Sequence, residues 1–403
     1  MLPGSSPPAG KDGSDGWLPS RTELRLYVEY ETIRLSFLIP VVPSCHIQLR
    51  TQKHLFGTES KPHMNSMSSD SSPPLVAIIL AGGTGTRLYP ASRSHRPKQF
   101  LDLFETGPLL EQTIDRCGFA DEIVISTSPE YRDQISADYP EVEVLTEPVA
   151  KDTGPALIHA TKEVAERYGD CLVCGLPSDH LIGQGFERTA RKAASVAGSA
   201  GGLVTIGIEP TRPATEYGYI EPGPSRDGYH RIESFHEKPA IDRARSYLDD
   251  GYFWNAGIFV WRPDALLREV RKSPLAPFLD RLETEGADAA FDAVDPVSID
   301  HGVMESADER YVVPAAFSWD DVGSWSAIGR HLPTDSAGNA VRGSAITVDA
   351  ADNTIVSDEG TISVIGASDL VVVKWDDHVL VVPKDQDQRV RDVVDRLREN
   401  DEF

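Results

Sequence analysis

The stretch LVAIILAGGTGTRLYPASRSHRPKQFLDLF, residues 75–104, limits the fold of this chain more than any other part of the sequence. Its first six residues, Leu75–Leu80, form an apolar run that predicts a strand buried on both faces. Glycines follow at once, and they leave backbone N–H groups uncovered, so successive amides can point at a polyphosphate. Fixed positive charge follows nearby, at Arg87, Arg93, Arg96 and Lys98. The sequence therefore predicts a strand that ends in a loop for a nucleoside triphosphate.

Two common phosphate-binding loops do not fit this spacing. A P-loop ends in Gly-Lys-Ser/Thr, and no Gly-Lys pair follows Gly82. A dinucleotide-binding fingerprint needs a third glycine, and this chain has Leu88 at that position. A glycine-rich turn with solvated arginines is the alternative that needs no ligand, but it requires the strand, the glycines and the spaced lysine to coincide by chance.

The charge of the chain excludes some partners. The 403 residues have a formal net charge of −24, and residues 67–403 hold 32 Lys/Arg against 57 Asp/Glu. Such a surface repels nucleic acid and anionic membranes, so we expect neither as a partner. The alternative role of the acidity is solubility alone. The basic residues between Arg87 and Lys98 are a local exception.

The cysteines indicate a reducing compartment. Four cysteines in a chain of this length do not suggest a disulfide framework. Cys171 and Cys174 have CxxC spacing, but they lie in the apolar run CLVCGL, where residues three apart face opposite sides of a strand. No second CxxC accompanies them, so we interpret them as core residues rather than metal ligands. The sequence has no secretory signal pattern, and we expect a cytoplasmic protein.

Residues 1–74 differ in composition from the rest of the chain. Both ends of this segment are rich in Gly, Pro and Ser, and the part between them has no sustained helical or strand period. We interpret the segment as a disordered extension or a misassigned start, with translation beginning at Met64 or Met67. An intact mass that includes Met1 would contradict the second interpretation.

Between residues 75 and 209, short apolar runs alternate with amphipathic ones, which is typical of βαβ units on a mainly parallel sheet. The predicted strands are Leu75–Leu80, Glu122–Thr127, Val142–Leu145, Cys171–Leu176 and Leu203–Ile208. The predicted helices are Leu109–Cys117, Glu130–Ala137, Ala156–Tyr168 and Phe186–Ala197. Ligands of such sheets bind beyond the carboxyl ends of the strands. We therefore expect the glycine loop and the loops that begin at Thr146 and Pro177 to meet at one crevice.

The second half of the chain is predicted to be more antiparallel. Its predicted strands are Tyr217–Glu221, Ile232–Glu237, Phe253–Trp261 and Tyr311–Phe317, and its predicted helices are Ile241–Asp249 and Ala265–Lys272. From residue 340, short β-branched runs recur about every ten residues, which predicts a small β module. A final amphipathic helix, Gln386–Glu399, follows, with Val390, Val393, Val394 and Leu397 on one face.

Two aspartates stand where predicted strands end. Asp179 follows a buried strand, and Asp321 follows the run Phe317–Trp319. Two carboxylates brought to one crevice from distant segments make an oxygen-ligand site for Mg²⁺, which needs few protein ligands when it also binds phosphates. Each aspartate could instead be a helix N-cap.

The sequence resembles the sugar-1-phosphate nucleotidyltransferases, and within them the monofunctional mannose-1-phosphate guanylyltransferases. The likeness rests on LAGGTGTRLYP with RPKQF, and it continues through EPVAKDTGPA, TRPATEYGYI, EKP, WNAGI and SIDHGVME. It implies an α/β, Rossmann-like nucleotidyltransferase domain over residues 75–335, with a mixed, mainly parallel sheet. A β-helix-like module with a terminal helix follows over residues 340–403 and is a candidate surface for a homodimer.

The resemblance also implies roles for residues that match the family motifs. Arg87 and Lys98 hold phosphates, Asp179 and Asp321 bind Mg²⁺, and these four are the candidate catalytic residues. Glu237 and Asn255 hydrogen-bond the sugar, and Lys238 holds the sugar phosphate. The remaining candidate binding residues are Leu80, Gly82, Gly83, Gly85, Thr86, Glu147, Thr153, Pro177 and Gly218.

The implied reaction joins GTP and mannose 1-phosphate into GDP-mannose and pyrophosphate. Asp152 stands where the family usually has Asn and Glu216 where it has Gly, so a pyrimidine nucleotide with glucose 1-phosphate is an alternative substrate pair. A catalytically silent subunit that senses sugar nucleotides is a second alternative, although it would be expected to lack Lys98, Asp179 or Asp321.

Overall fold

The structure is a computed structural model that describes residues 25–30, 33–38, 73–400 and 402–403. Residues 1–69 form one compact unit, of which the described part is an antiparallel hairpin of strands β1 (Arg25–Tyr30) and β2 (Ile33–Leu38). The sequence of this segment has no sustained strand period, so the hairpin was not predicted from it. The interpretation of residues 1–74 as an extension, with its start at Met64 or Met67, falls mostly outside the described residues and stays a prediction.

Residues 70–403 form the second compact unit. In chain order its strands are β3 (Leu75–Leu80), β4 (Glu122–Thr127), β5 (Glu143–Thr146), β6 (Leu172–Pro177), β7 (Leu181–Ile182), β8 (Leu203–Ile208), β9 (Tyr219–Arg226), β10 (Tyr229–His236), β11 (Phe253–Trp261), β12 (Arg310–Pro314), β13 (Trp319–Asp320), β14 (Ala340–Val348), β15 (Thr354–Ile365), β16 (Leu370–Trp375) and β17 (His378–Pro383). Its helices are α1 (Leu109–Arg116), α2 (Pro129–Asp138), α3 (Thr153–Tyr168), α4 (Phe186–Ala200), α5 (Ile241–Asp249), α6 (Pro263–Val270), α7 (Ala276–Thr284), α8 (Ala287–Ala293), α9 (Trp325–Gly329) and α10 (Val390–Glu399).

Nine strands form one mixed sheet in the order β5-β4-β3-β6-β11-β8-β12-β10-β9. The four strands from β5 to β6 pair in parallel, as the alternating strand and helix pattern predicted, and β8 pairs with β12 in parallel. The other five pairings, three of which involve β11, are antiparallel. The predicted mixed sheet is therefore confirmed, but the expectation that it is mainly parallel is wrong, because β11 runs against β6, β8 and β9 and five of the nine pairings are antiparallel. The parallel part lies at the end of the sheet that carries the glycine loop.

Strand β3 is buried on both faces because helices cover both sides of the sheet. Ala77 and Ile79 belong to a hydrophobic core that includes α4, and Val76 and Ile78 belong to the opposite core, which includes α3 and α6. The same layering confirms the prediction that Cys171 and Cys174 are core residues on opposite sides of a strand. Cys174 lies in the first core and Cys171 in the second, and both are free thiols.

The C-terminal module is a four-stranded sheet in which β14, β15 and β16 are parallel and β17 is antiparallel. The predicted terminal helix begins later than expected, because a 3₁₀ turn covers Lys384–Arg389 before α10. Val390 and Val394 of α10 are buried as predicted, whereas Val393 lies at the edge of that face and is 39% exposed.

The module packs on the segment that follows β3. Leu88, Tyr89 and Leu103 from that segment share one core with Trp325 of α9 and with buried residues of β15, β16, β17 and α10. Within the described residues, no helix combines the length and the hydrophobicity needed to span a bilayer.

Candidate active site

The candidate site is a cavity of about 410 Å³ at the carboxyl ends of β3, β5 and β6. The three loops predicted to meet do so, because these parallel strands end at one edge of the sheet. Among the sequence-predicted residues, the cavity is lined by Leu80, Gly82, Gly83, Glu147, Thr153, Pro177 and Asp179. Lys98 and Asp321 lie beside it, joined to Asp179 through the contacts described below, and Arg87 faces the space next to Asp321.

The loop after β3 needs glycine at position 85 for two reasons. Gly85 has a φ of 62°, which side chains disfavour, and it precedes the 3₁₀ turn Thr86–Leu88. A Cβ atom at Gly85 would lie 2.3 Å from Cβ of Lys98. A Cβ atom at Gly83 would meet nothing within 4 Å. Gly85 thus allows the buried Lys98 to pass behind the loop, while Gly83 leaves the cavity wall open.

Lys98 links the two predicted metal-binding segments. Its ammonium Nζ lies 2.9 Å from Asp179 Oδ2 and donates to the carbonyl oxygen of Asp321 at 2.6 Å. Burial alone would raise the pKa of Asp179, but Lys98 and His180 lower it below its ordinary value. The Asp179 carboxylate is therefore held ionised next to a buried cation.

The Asp321 carboxylate is oriented by two donors. The Tyr217 hydroxyl donates to Asp321 Oδ1 at 2.8 Å, and the backbone N–H of Gly323 donates to the same oxygen at 3.2 Å. A Cβ atom at Gly323 would lie 2.6 Å from Asp321 Oδ2 and 3.2 Å from Nη2 of Arg87, so both charged groups face the same small space. Arg87 also donates from Nη1 to Gln388 Oε1 at 3.1 Å.

These carboxylates suit a hard divalent cation. Among the described residues, no group of three or more His, Cys, Asp or Glu side chains is arranged to hold a metal ion. Lys98 brings the two segments together by contacting the Asp179 carboxylate and the backbone carbonyl of Asp321. Two carboxylate ligands would be sufficient for Mg²⁺ when phosphates and waters complete its shell. The neighbouring Asp320 is buried and bound by Arg330, His331 and the N–H of Val322, so its role is structural.

The predicted sugar-binding residues also lie together. A Cβ atom at Gly218 would lie 2.7 Å from Glu237 Oε2 and 3.8 Å from Cβ of Asn255, so glycine permits this close packing. Lys238 pairs with Glu237 and its side chain is 62% exposed. Its contact with a sugar phosphate stays a prediction.

The other predicted binding residues have contacts of their own. Glu147 is buried, accepts a hydrogen bond from Ser126 at 2.9 Å, and has a pKa raised by burial. The hydroxyl of Thr153 accepts from the N–H of Ile299 at 3.0 Å, so it anchors another wall of the cavity. Thr86 lies in the 3₁₀ turn behind the loop.

Two of the arginines expected to supply charge to the loop serve the fold instead. Arg93 is buried over the ring of Tyr89, and Arg96 pairs with Asp376 of the C-terminal module at 2.7 Å. Arg96 therefore stabilises the contact with the module directly, and Arg93 packs on Tyr89, which belongs to the core shared with the module. Local sequence could not separate them from Arg87.

The cavity residues that were not selected as site residues from the sequence include Gln99, His180, Phe259 and Asp300. His180 follows Asp179 directly, accepts from the indole of Trp319 at 3.1 Å, and has a pKa lowered by burial. Gln99 donates to the carbonyl of Ala81 at 2.8 Å and so fixes the start of the glycine loop. Asp300 could have been found from its position in SIDHGVME, which resembles a family motif, but no single residue of that stretch was selected.

Two protein-family models match the chain. The nucleotidyl transferase model covers residues 76–336, and a model described as a MannoseP isomerase/GMP-like beta-helix domain covers residues 343–397. The xanthan biosynthesis protein XanB of Xanthomonas campestris pv. campestris (strain B100) is 37% identical over 344 residues, which are 80% of this chain and 73% of the relative. A mannose-1-phosphate guanylyltransferase of Klebsiella pneumoniae is 34% identical over 81% of this chain and 74% of its own length.

The fold is also found in a solved structure. A crystal structure of a mannose-1-phosphate geranyltransferase from Thermus thermophilus matches with a TM-score of 0.75 and 35% sequence identity. The match covers 81% of this chain and 99% of that one.

Proposed function

Because this chain belongs to the nucleotidyl transferase family and carries its β-helix domain, we propose that it transfers a guanylyl group from GTP to mannose 1-phosphate. The products are GDP-mannose and pyrophosphate. The observation that carries the proposal is the junction at Lys98, whose ammonium contacts both Asp179 and Asp321 beside the cavity. Relatives with this named activity are similar over four fifths of the chain.

In the proposed reaction, a phosphate oxygen of mannose 1-phosphate attacks the α-phosphorus of GTP. The new P–O bond forms as the bond from the α-phosphorus to the bridging oxygen breaks, and pyrophosphate leaves with that electron pair. The nucleophile is already an anion, so the reaction needs alignment and charge neutralisation rather than a strong base.

The residues of the cavity can supply both requirements. Gly82 and Gly83 line the cavity, and their backbone amides would suit the phosphate chain. Lys98 and Arg87 provide fixed positive charge against the charge that develops in transfer. Asp179 and Asp321 would hold Mg²⁺, which when bound polarises the phosphoryl oxygens and helps to neutralise the leaving group.

The proposal is tested by pyrophosphate release with GTP and mannose 1-phosphate in the presence of Mg²⁺. We expect Lys98→Ala and Asp321→Asn each to lower turnover by about a hundredfold or more. Lys374→Ala is the matched control, because Lys374 also pairs with two carboxylates but lies in the C-terminal module. Turnover by either site variant at the level of this control would contradict the proposal.

Substrate choice is decided by a panel of four nucleoside triphosphates with several sugar phosphates. A preference for UTP or dTTP with glucose 1-phosphate would favour the alternative nucleotidyltransferase. Binding of sugar nucleotides without turnover would favour the sensing subunit. We also propose that the enzyme works in the cytoplasm. We further propose that two copies pair through the C-terminal module, and sedimentation of the intact protein would test whether a dimer forms.

A further inference from the structure

The amide of Asn255 has a fixed orientation inside the site. Its Oδ1 accepts from the Thr205 hydroxyl at 3.0 Å and from the N–H of Gly257 at 3.3 Å. A carbonyl oxygen that receives two donors leaves the NH₂ group pointing the other way. That group donates to Asp300 Oδ1 at 2.6 Å. Asn255 therefore orients Asp300 and does not offer its whole amide to a ligand.

Asp300 lines the cavity without a balancing cation. Asn255 is the one side chain among the described residues that donates a hydrogen bond to it. The two charged groups that act on it, Glu237 and Asp152, are also negative. A partly buried carboxylate with spare lone pairs is a strong acceptor for a ligand hydroxyl.

The backbone around Asp300 is held from two sides. The N–H of Ile299 donates to the Thr153 hydroxyl at 3.0 Å, and the N–H of Gly154 donates to the carbonyl of Val297 at 3.0 Å. Asp300 then begins a π-helical turn, Asp300–Met304. These contacts fix the backbone next to Asp300, and the Asn255 amide orients its carboxylate, an arrangement that suits recognition of one hydroxyl position.

We propose that Asp300 is a specificity-determining residue that accepts a hydrogen bond from a hydroxyl of the hexose, and that Asn255 is its positioning residue. This inference rests on the proposed function. We assign the bound hydroxyl to the hexose rather than to the ribose, because Asn255 packs with Gly218 and Glu237, and these residues form the proposed sugar pocket.

The first test compares binding of GDP-mannose and GDP by titration calorimetry in wild type and Asp300→Asn. The asparagine can keep the bond to Asn255 through its own Oδ1, so the wall stays in place while an acceptor toward the ligand is replaced by NH₂. We expect affinity for GDP-mannose to fall about 10- to 100-fold and affinity for GDP to change less than about threefold. Equal losses for both ligands would place Asp300 at the ribose and overturn the proposal.

The second test separates recognition from a structural effect. KM and kcat are measured with mannose 1-phosphate and with its 2-, 3-, 4- and 6-deoxy analogues. The Asp300→Asn penalty in KM should disappear for one analogue, because that analogue has already lost the hydroxyl. A penalty of the same size for every analogue would show a structural role and overturn the proposal.

Asn255→Ala and Asp308→Asn complete the set. Asn255→Ala should reproduce the analogue pattern of Asp300→Asn, since it releases the same carboxylate. Asp308→Asn removes an exposed carboxylate that pairs with Lys272 and should leave the pattern of wild type unchanged. If wild type prefers another sugar phosphate, the proposed function fails, and the Asp300 tests are run with the deoxy series of that sugar.

Discussion

Gly85 and Gly83 belong to one loop, yet the structure predicts opposite outcomes when each is changed to alanine. At Gly85, alanine would take a left-handed conformation, which costs roughly 1–2 kcal/mol. Its Cβ atom would also lie 2.3 Å from Cβ of Lys98, and relief of such an overlap in a packed region costs about 1–3 kcal/mol. We therefore expect Gly85→Ala to lower the free energy of unfolding by about 2–5 kcal/mol.

Gly83→Ala is the matched comparison. Its Cβ atom would have no atom within 4 Å, and Gly83 has no positive φ, so stability should be unchanged or rise by up to about 1 kcal/mol. Because Gly83 lines the cavity, this variant should instead raise KM for GTP. For Gly85→Ala, displacement of Lys98 should lower kcat about tenfold or more.

Urea unfolding followed by circular dichroism measures the stability of both variants, and pyrophosphate release measures their activity. The reasoning would be refuted by a Gly85→Ala protein that is as stable and active as wild type. It would also be refuted if both variants lost the same stability, since the loop would then not distinguish the two positions.

Three further predictions concern carboxylates that are wholly or partly buried. Hydrogen bonds from His331 and Arg330 outweigh burial and lower the pKa of Asp320 to about 2, so Asp320→Asn should lower the free energy of unfolding by roughly 2 kcal/mol at pH 7. Urea unfolding should show this difference from wild type closing between about pH 4 and 2. A difference that stays constant with pH would contradict the prediction. Burial raises the pKa of Asp300 to about 6, so its charged form destabilises the folded protein and the effect of substitution has the opposite sign. Asp300→Asn should be more stable than wild type by up to about 3 kcal/mol at pH 8 and equally stable near pH 4 in the same assay. Lys98→Met should lower the free energy of unfolding by about 2 kcal/mol at pH 7, because Asp179 keeps its charge without a partner. Protonation of Asp179 in acid should reduce this loss. Carboxyl titration by NMR should show a higher pKa for Asp179 in the variant than in wild type, and an unchanged pKa would exclude this cause.

Much of the sheet could be predicted from the sequence because its strands are buried and short. The bounds of Leu75–Leu80, Glu122–Thr127, Leu203–Ile208 and Phe253–Trp261 agree with the structure, since uninterrupted apolar runs mark strands covered on both faces. The place of β11 between β6 and β8 could not be predicted, because pairing order depends on contacts between distant segments. Helices α7 and α8 were also missed.

The site divides in the same way. The glycine loop and Lys98 follow from local pattern, because one strand, one turn and one lysine are close in sequence. Asp300 does not, since its role depends on Asn255, which lies 45 residues earlier and reaches it through a bulge in β11. The conformation that presents a carboxylate to the cavity exists only after folding.

The region around residues 336–343, where one family model stops and the next begins, is not a boundary in the folded protein. Leu88 and Tyr89, beside the glycine loop, share their hydrophobic core with Trp375 of the C-terminal sheet, and Arg87 donates a hydrogen bond to Gln388. A shortened protein designed to end near residue 336 would expose that core to water and free the arginine from its support. Any minimal version of this enzyme therefore has to retain the C-terminal sheet and helix.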